Sequence, residues 1–236
     1  FCWINEQEQA LLQSRRRPIV LLRKRMDAAP LAAEIAPHNG RLGVMLPYTP
    51  LHHLLLRGLT ALVMTSGNVT DEPIAYEDQD AVQRLAGIAD CFLTHNRPIF
   101  RRCDDSVAIW AAGFPRLYRR SRGYTPEPLR LVGGCDLLAV GGEQKNTFCL
   151  VRGEDAFLSQ HIGDLDEVNT YDGYRREIAD FCRMFEVKPR LLAHDLHPQY
   201  LSTIYAKEYA EKQDNPLTLC PVQHHHAHLA SVLAEH

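Results

Sequence analysis

No stretch of this chain reaches the roughly 18 to 20 consecutive apolar residues that a bilayer-spanning helix needs, and its first residues lack the basic-then-apolar pattern of a secretory signal. No membrane partner is expected, and a cytoplasmic address follows by default. Excess positive charge is missing as well: 26 Lys and Arg stand against 29 Asp and Glu, a formal net charge of -3. That balance excludes nucleic acid as a dominant partner, although Arg15 to Arg25 and Arg116 to Arg122 are locally basic. The 7 cysteines form no CxxC pair, so reduced thiols are expected rather than a zinc knuckle or a redox pair. A Walker P-loop and a Rossmann glycine fingerprint are also lacking, so any nucleotide must be held by another device. There is no internal repeat and no low-complexity tract.

What is present is an ordinary soluble composition, 45% hydrophobic and 23% charged over 236 residues, enough for one substantial core or two small ones. In the first half, helices are expected at 5–13, 51–57 and 77–85. Strands are expected at 18–25, 43–46, 59–64, 88–94, 106–110 and 117–119. The run Ile19-Val20-Leu21-Leu22 predicts a strand covered on both faces, and a loop rich in Ala, Pro and Gly follows it. Thr125-Pro126-Glu127-Pro128 and Gly133-Gly134 interrupt regular structure, which predicts a first domain over 1–124, a linker over 125–135 and a second domain over 136–236. In the latter the expected order is β-β-β-α-β-α-β-α: strands at 137–141, 146–151 and 156–160, helix 167–186, strand 190–194, helix 198–212, strand 217–222 and a helix from about 224. Tyr171, Tyr174, Ile178, Phe181, Cys182 and Phe185 share one face of the long helix and predict core packing. The fold class expected is therefore α/β, a sheet domain followed by one ribonuclease-H-like half of the actin and sugar-kinase architecture.

Four segments carry candidate chemistry. Met64 to Asn68 closes the apolar stretch from Leu59, and its Thr65, Ser66, Gly67 and Asn68 offer donors to phosphate or carboxylate oxygens; a plain turn with side-chain capping is the structural alternative. Arg119, Arg120, Ser121 and Arg122 run into Gly123, and the planar guanidinium suits bidentate phosphate contact; a solvated basic edge is the alternative. Arg101, Arg102, Asp104, Asp105 and Ser106 read first as a cluster that pairs internally, with carboxylates placed near a metal-bound nucleotide as the alternative. Finally, His224 and His228, four residues apart at the start of a helix, put two imidazoles on one face, as two ligands of one metal require. A third ligand, a carboxylate, must come from elsewhere, and a solvated polar helix start is the alternative. Between the first two strands of the second domain, Gly141-Gly142-Glu143-Gln144-Lys145-Asn146-Thr147 forms a glycine-bearing turn where actin-like folds approach phosphates, with Lys145 as the cation. Asp164 and Asp166 serve equally to orient metal or phosphate and to cap a helix.

These blocks carry a resemblance. Gly43 to Pro47 with Leu51 to Leu55, then Thr65 to Asn68, His95-Asn96-Arg97, Arg102 to Val107 and Arg120 to Tyr124 resemble, in that order, the YrdC-like domain of the HypF carbamoyltransferase family. Lys145 to Leu150, Ser159 to Leu165, His194 to Pro198 and His224 to His228 resemble the TsaD-like domain that follows it in that family. The resemblance implies that carbamate from carbamoyl phosphate is joined to AMP of ATP, with Mg2+, and that the carbamoyl group then passes to the C-terminal cysteine of a HypE-type acceptor in [NiFe]-hydrogenase maturation. It implies that Thr65, Ser66, Gly67, Asn68, Arg119, Ser121, Arg122, Lys145, Asn146 and Thr147 contact nucleotide or carbamate, and that His224 and His228 hold zinc or iron. No catalytic residue is assigned. Both ends of the chain read as cut, and a piece without the family's remaining domains is expected to be inactive alone. A tRNA threonylcarbamoyladenosine-type enzyme and a noncatalytic nucleotide- or metal-binding remnant are the alternatives.

Overall fold

The computed structural model describes residues 1–236 apart from 26, 28–31, 33, 70, 71, 214 and 236. The Ala- and Pro-rich loop expected after the first strand lies partly outside the described residues. The chain forms two compact units, residues 1–66 with 103–124, and residues 67–102 with 125–236.

The first unit opens on α1 (Glu6–Gln13), started by Asn5, whose side chain accepts the Glu8 N–H while Glu8 reaches back to the Asn5 N–H. Strand β1 (Ile19–Arg23) runs antiparallel to β2 (Arg41–Val44) and parallel to β3 (Val107–Ala111), which pairs in turn with β4 (Phe114–Arg119), giving the order β2-β1-β3-β4. Burial along β1 alternates: Val20 and Leu22 pack with Leu11, Leu12 and Ala108, whereas Ile19 and Leu21 are only half covered. The expectation of two buried faces is corrected to one, because α1 shields a single side of a short sheet. Thr49 caps α2 (Pro50–Leu55) by accepting the His52 N–H, with proline in the first turn, where its missing N–H costs nothing.

Two expected strands are absent. Residues 59–64 and 88–94 have no strand structure, and Leu59, Val63, Met64, Ile88 and Leu93 are each at least half exposed. Apolar β-formers hold a strand only where a neighbouring edge pairs with them and a face covers them, and neither is supplied to these segments among the described residues.

In the second unit, α3 (Asp78–Leu85) belongs to the 67–102 segment. Inside the stretch expected as linker, β5 (Leu129–Arg130) pairs with β8 (Asp155–Leu158). Strands β6 (Leu137–Ala139), β7 (Cys149–Arg152) and β8 form an antiparallel meander. The long helix α4 (Val168–Met184) leads to β9 (Leu191–Asp195), parallel to β6; α5 (Leu201–Glu211) leads to β10 (Thr218–Val222), parallel to β9. The sheet order β10-β9-β6-β7-β8-β5 contains the ribonuclease-H-like sequence of three meandering and two parallel strands. Tyr174, Ile178 and Phe181 are almost fully buried against Leu138, Phe148, Leu150 and Leu192, with Tyr171, Cys182 and Phe185 packed beside them. Each of the three contributes on the order of 2 kcal/mol by leaving water. The chain closes with α6 (His224–Glu235), whose Leu229, Val232 and Leu233 are exposed. No helix among the described residues is long and apolar enough to cross a membrane.

Candidate functional site

In the first unit, the expected basic strand end is largely engaged within the fold. Ser121 is fully buried; its N–H donates to Ser106 Oγ at 2.8 Å, and that hydroxyl donates to the Arg122 carbonyl at 2.9 Å. The Arg122 guanidinium pairs with Asp105 at 2.5 Å, donates to the Arg16 and Arg17 carbonyls at 3.2 and 2.7 Å, and lies 3.7 Å from the centre of the Tyr48 ring. Such a fork is held rigidly and has few donors left to turn outward. Arg119 is exposed, as are Thr65 and Ser66. Nothing in the sequence marks Tyr48 for this strand end, since an aromatic preceding a helix cap gives no sign that it will stack on an arginine far along the chain.

Pairing is expected inside the Arg101 to Ser106 cluster, and this is corrected: the ion pairs of Arg101 and Asp105 reach residues outside it. Asp105 takes Arg122, while in the second unit Arg101 approaches Glu177 at 3.2 Å and Asp180 at 3.5 Å, and Arg102 donates to the Ile162 carbonyl at 2.8 Å. The contact of Arg101 Nε with Glu177 Oε2 is an ion pair without a well-aligned hydrogen bond, while Gln160 Nε2 donates to Oε1 at 3.2 Å. Burial pushes the Glu177 carboxyl up to about 7, with Arg101 pulling the other way. A folded-state value above the unfolded one means that the folded chain holds this proton longer. The resulting stabilisation is present in acid and fades as pH rises from about 4.5 to about 7. Glu177→Gln is therefore expected to gain stability relative to the parent chain between pH 5 and pH 8, by on the order of 2 kcal/mol; urea midpoints of both proteins at the two pH values measure it, and parallel pH dependences would refute it.

Also in the second unit, the glycine turn between β6 and β7 is built around Asn146, 1% exposed. Its side-chain amide donates to the Val140 and Gly142 carbonyls at 3.1 and 2.6 Å, and its backbone exchanges hydrogen bonds with Gly163 and Ile162. Gly141 has φ +76°, and a Cβ there would lie 2.2 Å from the Thr147 carbonyl oxygen. Lys145 is exposed, and its N–H donates to Asp164 at 2.6 Å, so the part of Asp164 visible here is to fix the turn. Thr147 is half-buried. Glu143 accepts the Leu201 N–H at 2.7 Å, filling an orphan donor at the start of α5. Asn68 also belongs to this unit, its amide donating to the Val69 carbonyl, while Gly67 accepts the Ala75 N–H.

The histidines stand beside that turn. Parallel pairing of Val222 with Asp195 brings the end of β10 next to the end of β9, and α6 starts two residues later. Gln223 Oε1 accepts the His225 N–H at 2.7 Å, serving as the helix cap, and its amide engages the His225 ring. His224 and His228 project from one face with their Nε2 atoms 3.1 Å apart. On its other side, His224 Nδ1 lies 2.6 Å from Asp195 Oδ2. Burial raises the Asp195 carboxyl, but the His197 N–H and the His224 ring outweigh it and hold the group below its usual range. A Cβ built on Gly142 would touch His224 Cε1 at 3.9 Å, so the turn and the imidazole are in reach of one another. Two imidazole nitrogens this close suit adjacent ligands of one cation at about 2.0 to 2.1 Å each. No cluster of three or more metal-ligating side chains occurs among the described residues.

A four-stranded sheet unit and a ribonuclease-H-like half bearing a glycine turn beside an i, i+4 histidine pair define a two-module α/β protein. Residues 2–121 match the Sua5/YciO/YrdC family model, described as telomere recombination, and residues 134–235 match the model of the HypF Kae1-like domain. The chain belongs to the HypF family. It is 47% identical to carbamoyltransferase HypF2 of Cupriavidus necator, over 99% of this chain and 31% of that protein, and 46% identical to carbamoyltransferase HypF of Synechocystis, over 98% and 30%. The structure of full-length HypF in a phosphate- and nucleotide-bound form matches with a TM-score of 0.91 at 48% identity, covering 100% of this chain and 37% of that one. HypF of T. kodakarensis matches with a TM-score of 0.91 at 38% identity, covering 100% and 31%. The chain thus spans about a third of the length of the relatives it matches.

Proposed function

We propose that this chain contributes to ATP-dependent carbamoyl transfer in [NiFe]-hydrogenase maturation. On this reading carbamoyl phosphate and ATP yield carbamoyl-AMP at the YrdC-like module, and the Kae1-like module passes the carbamoyl group to the C-terminal cysteine of a HypE-type acceptor. The observation that carries the reading is the approach of the Gly141-Gly142 turn to His224, whose Nε2 converges with that of His228. It sets a backbone turn suited to phosphate oxygens beside a pair suited to a cation.

His224 and His228 would hold zinc or iron, and that ion would supply charge stabilisation to a phosphate or carbamoyl oxygen. Lys145, on the exposed side of the turn, adds a cation where phosphate charge arrives. Asn146 and Thr147 keep the turn in shape from within. In the first unit, Thr65, Ser66 and Arg119 are the solvent-facing candidates for nucleotide and carbamate, and Ser121 and Arg122 brace the strand end from inside; Gly67 and Asn68, in the second unit, remain candidates by sequence. The naming of several relatives as HypF carbamoyltransferases favours this branch over a tRNA-modifying one.

Equilibrium dialysis of the metal-stripped chain against zinc, iron(II) and, separately, ATP with Mg2+ tests the reading. About one metal ion per chain and saturable ATP binding are expected. A chain that binds neither is not a ligand-holding part of such an enzyme.

A further inference from the structure

We propose that Asp195 is a positioning residue: it fixes His224 in the Nδ1–H tautomer, so that the bare Nε2 faces His228 and is ready for a divalent cation. The inference rests on reading the histidine pair as a metal site, and adds to it the residue that orients one of the ligands. Asp195 ends β9, and its two carboxylate oxygens have separate duties. Oδ1 accepts the His197 N–H at 2.8 Å, which fixes the carboxylate's rotation, and Oδ2 meets His224 Nδ1 at 2.6 Å. The Asp195 side chain is only 9% exposed against 47% for His224, so the anchor is the sheltered member of the pair.

An ionised carboxylate accepts and cannot donate, so the hydrogen of the 2.6 Å contact must sit on the ring. A neutral imidazole has one N–H, and with it committed to Nδ1 the lone pair is left at Nε2. That lone pair points at His228 Nε2, 3.1 Å away, which in the metal-free chain must be the donor of the pair. A cation entering between the rings therefore meets one nitrogen already bare, and only His228 has to move its proton to Nδ1. Carboxylates that hold the far nitrogen of a metal-binding histidine act in this way, and their loss typically costs about 10- to 100-fold in metal affinity.

Asn at 195 separates orientation from packing. With Oδ1 still accepting the His197 N–H, the new amide NH2 faces His224 Nδ1 and demands an acceptor there. The ring must then carry its hydrogen on Nε2, the wrong tautomer for a ligand, in a side chain of unchanged shape. The experiment is long-range 1H–15N correlation on the metal-free full chain labelled at histidine nitrogen, at a pH where the ring is neutral, with zinc affinity measured by chelator competition on the same samples. His224 is expected as Nδ1–H in the parent chain and Nε2–H in Asp195→Asn, with zinc affinity lower by about 10- to 100-fold. A parent His224 carrying its hydrogen on Nε2 overturns the proposal without recourse to any variant, as does an unchanged tautomer in a variant whose circular dichroism matches the parent. If the tautomer switches as expected but the parent chain binds no zinc, the positioning role of Asp195 stands and the reading of the pair as a metal site falls.

Discussion

Alanine at both His224 and His228 is expected to remove metal binding from the chain while leaving its fold intact. The two Nε2 atoms are the convergent donors, 3.1 Å apart, and no cluster of three or more ligating side chains among the described residues could replace them. Imidazole nitrogen is a borderline-soft donor of the kind zinc or iron(II) takes, and among the described residues removing both rings leaves second-sphere groups such as Asp195. A loss of roughly 100-fold or more in affinity follows, since a supporting residue alone is worth about 10 to 100. The fold should tolerate the change. Both side chains are exposed on α6, and alanine is the better helix former by a few tenths of a kcal/mol per residue, on the order of 0.5. Metal content by mass spectrometry, with the thermal transition as control, reads the two effects separately. Retention of stoichiometric metal by the double variant would place the site elsewhere and make the histidines a polar helix start.

Gly141→Ala should have the largest effect on stability of any substitution at the turn, destabilising the second unit by about 4 kcal/mol. A left-handed backbone costs an L-residue roughly 1 to 2 kcal/mol, and a crowded added methyl costs about 1 to 3 more. Here that methyl would sit 2.2 Å from the Thr147 carbonyl oxygen and 2.8 Å from Asn146 Nδ2, and the first of these is backbone that cannot swing away. Gly142→Ala is the internal control. Its φ is not in the left-handed region, and its Cβ would meet only His224 Cε1 at 3.9 Å, ordinary contact distance. Urea unfolding of the two variants should differ by several kcal/mol. Equal midpoints would mean that the turn relaxes freely and that Gly141 is not held in its left-handed conformation.

What could be read from the sequence was whatever depends on neighbours in the chain. The face of α4 from Tyr171 to Phe185, the β6–β7–β8 meander and the start of α6 all follow from local periodicity and capping, and each is where it was expected. The histidine spacing likewise places two rings together, because four residues along a helix is a fixed geometry. What could not be read depends on residues far apart. The stretch 59–64 has the composition of a strand but no edge to join, and β5 forms inside a Pro-rich stretch because β8 offers it a partner. Arg122 looks like an open phosphate ligand until the carbonyls of Arg16 and Arg17 and the Asp105 carboxylate are seen around it. Asp195 is one acidic residue among 29 Asp and Glu in the sequence. Only the parallel register of β9 and β10 reveals that it faces His224.

The two sheets also differ in how their strands are reached along the chain, and this bears on the order in which they assemble. In the second unit β6, β7 and β8 follow one another directly, so their contacts close short loops at small entropic cost. In the first unit β1 lies beside β3, Ile19 against Val107, with β2, α2 and α3 all intervening. Non-local pairings of this kind slow folding because the loop must be closed before the contact rewards it. During synthesis β1 therefore emerges long before its parallel neighbour exists. The meander of the Kae1-like half, although made later, has its strands adjacent along the chain and waits only for the next helix, α4, to cover its apolar face.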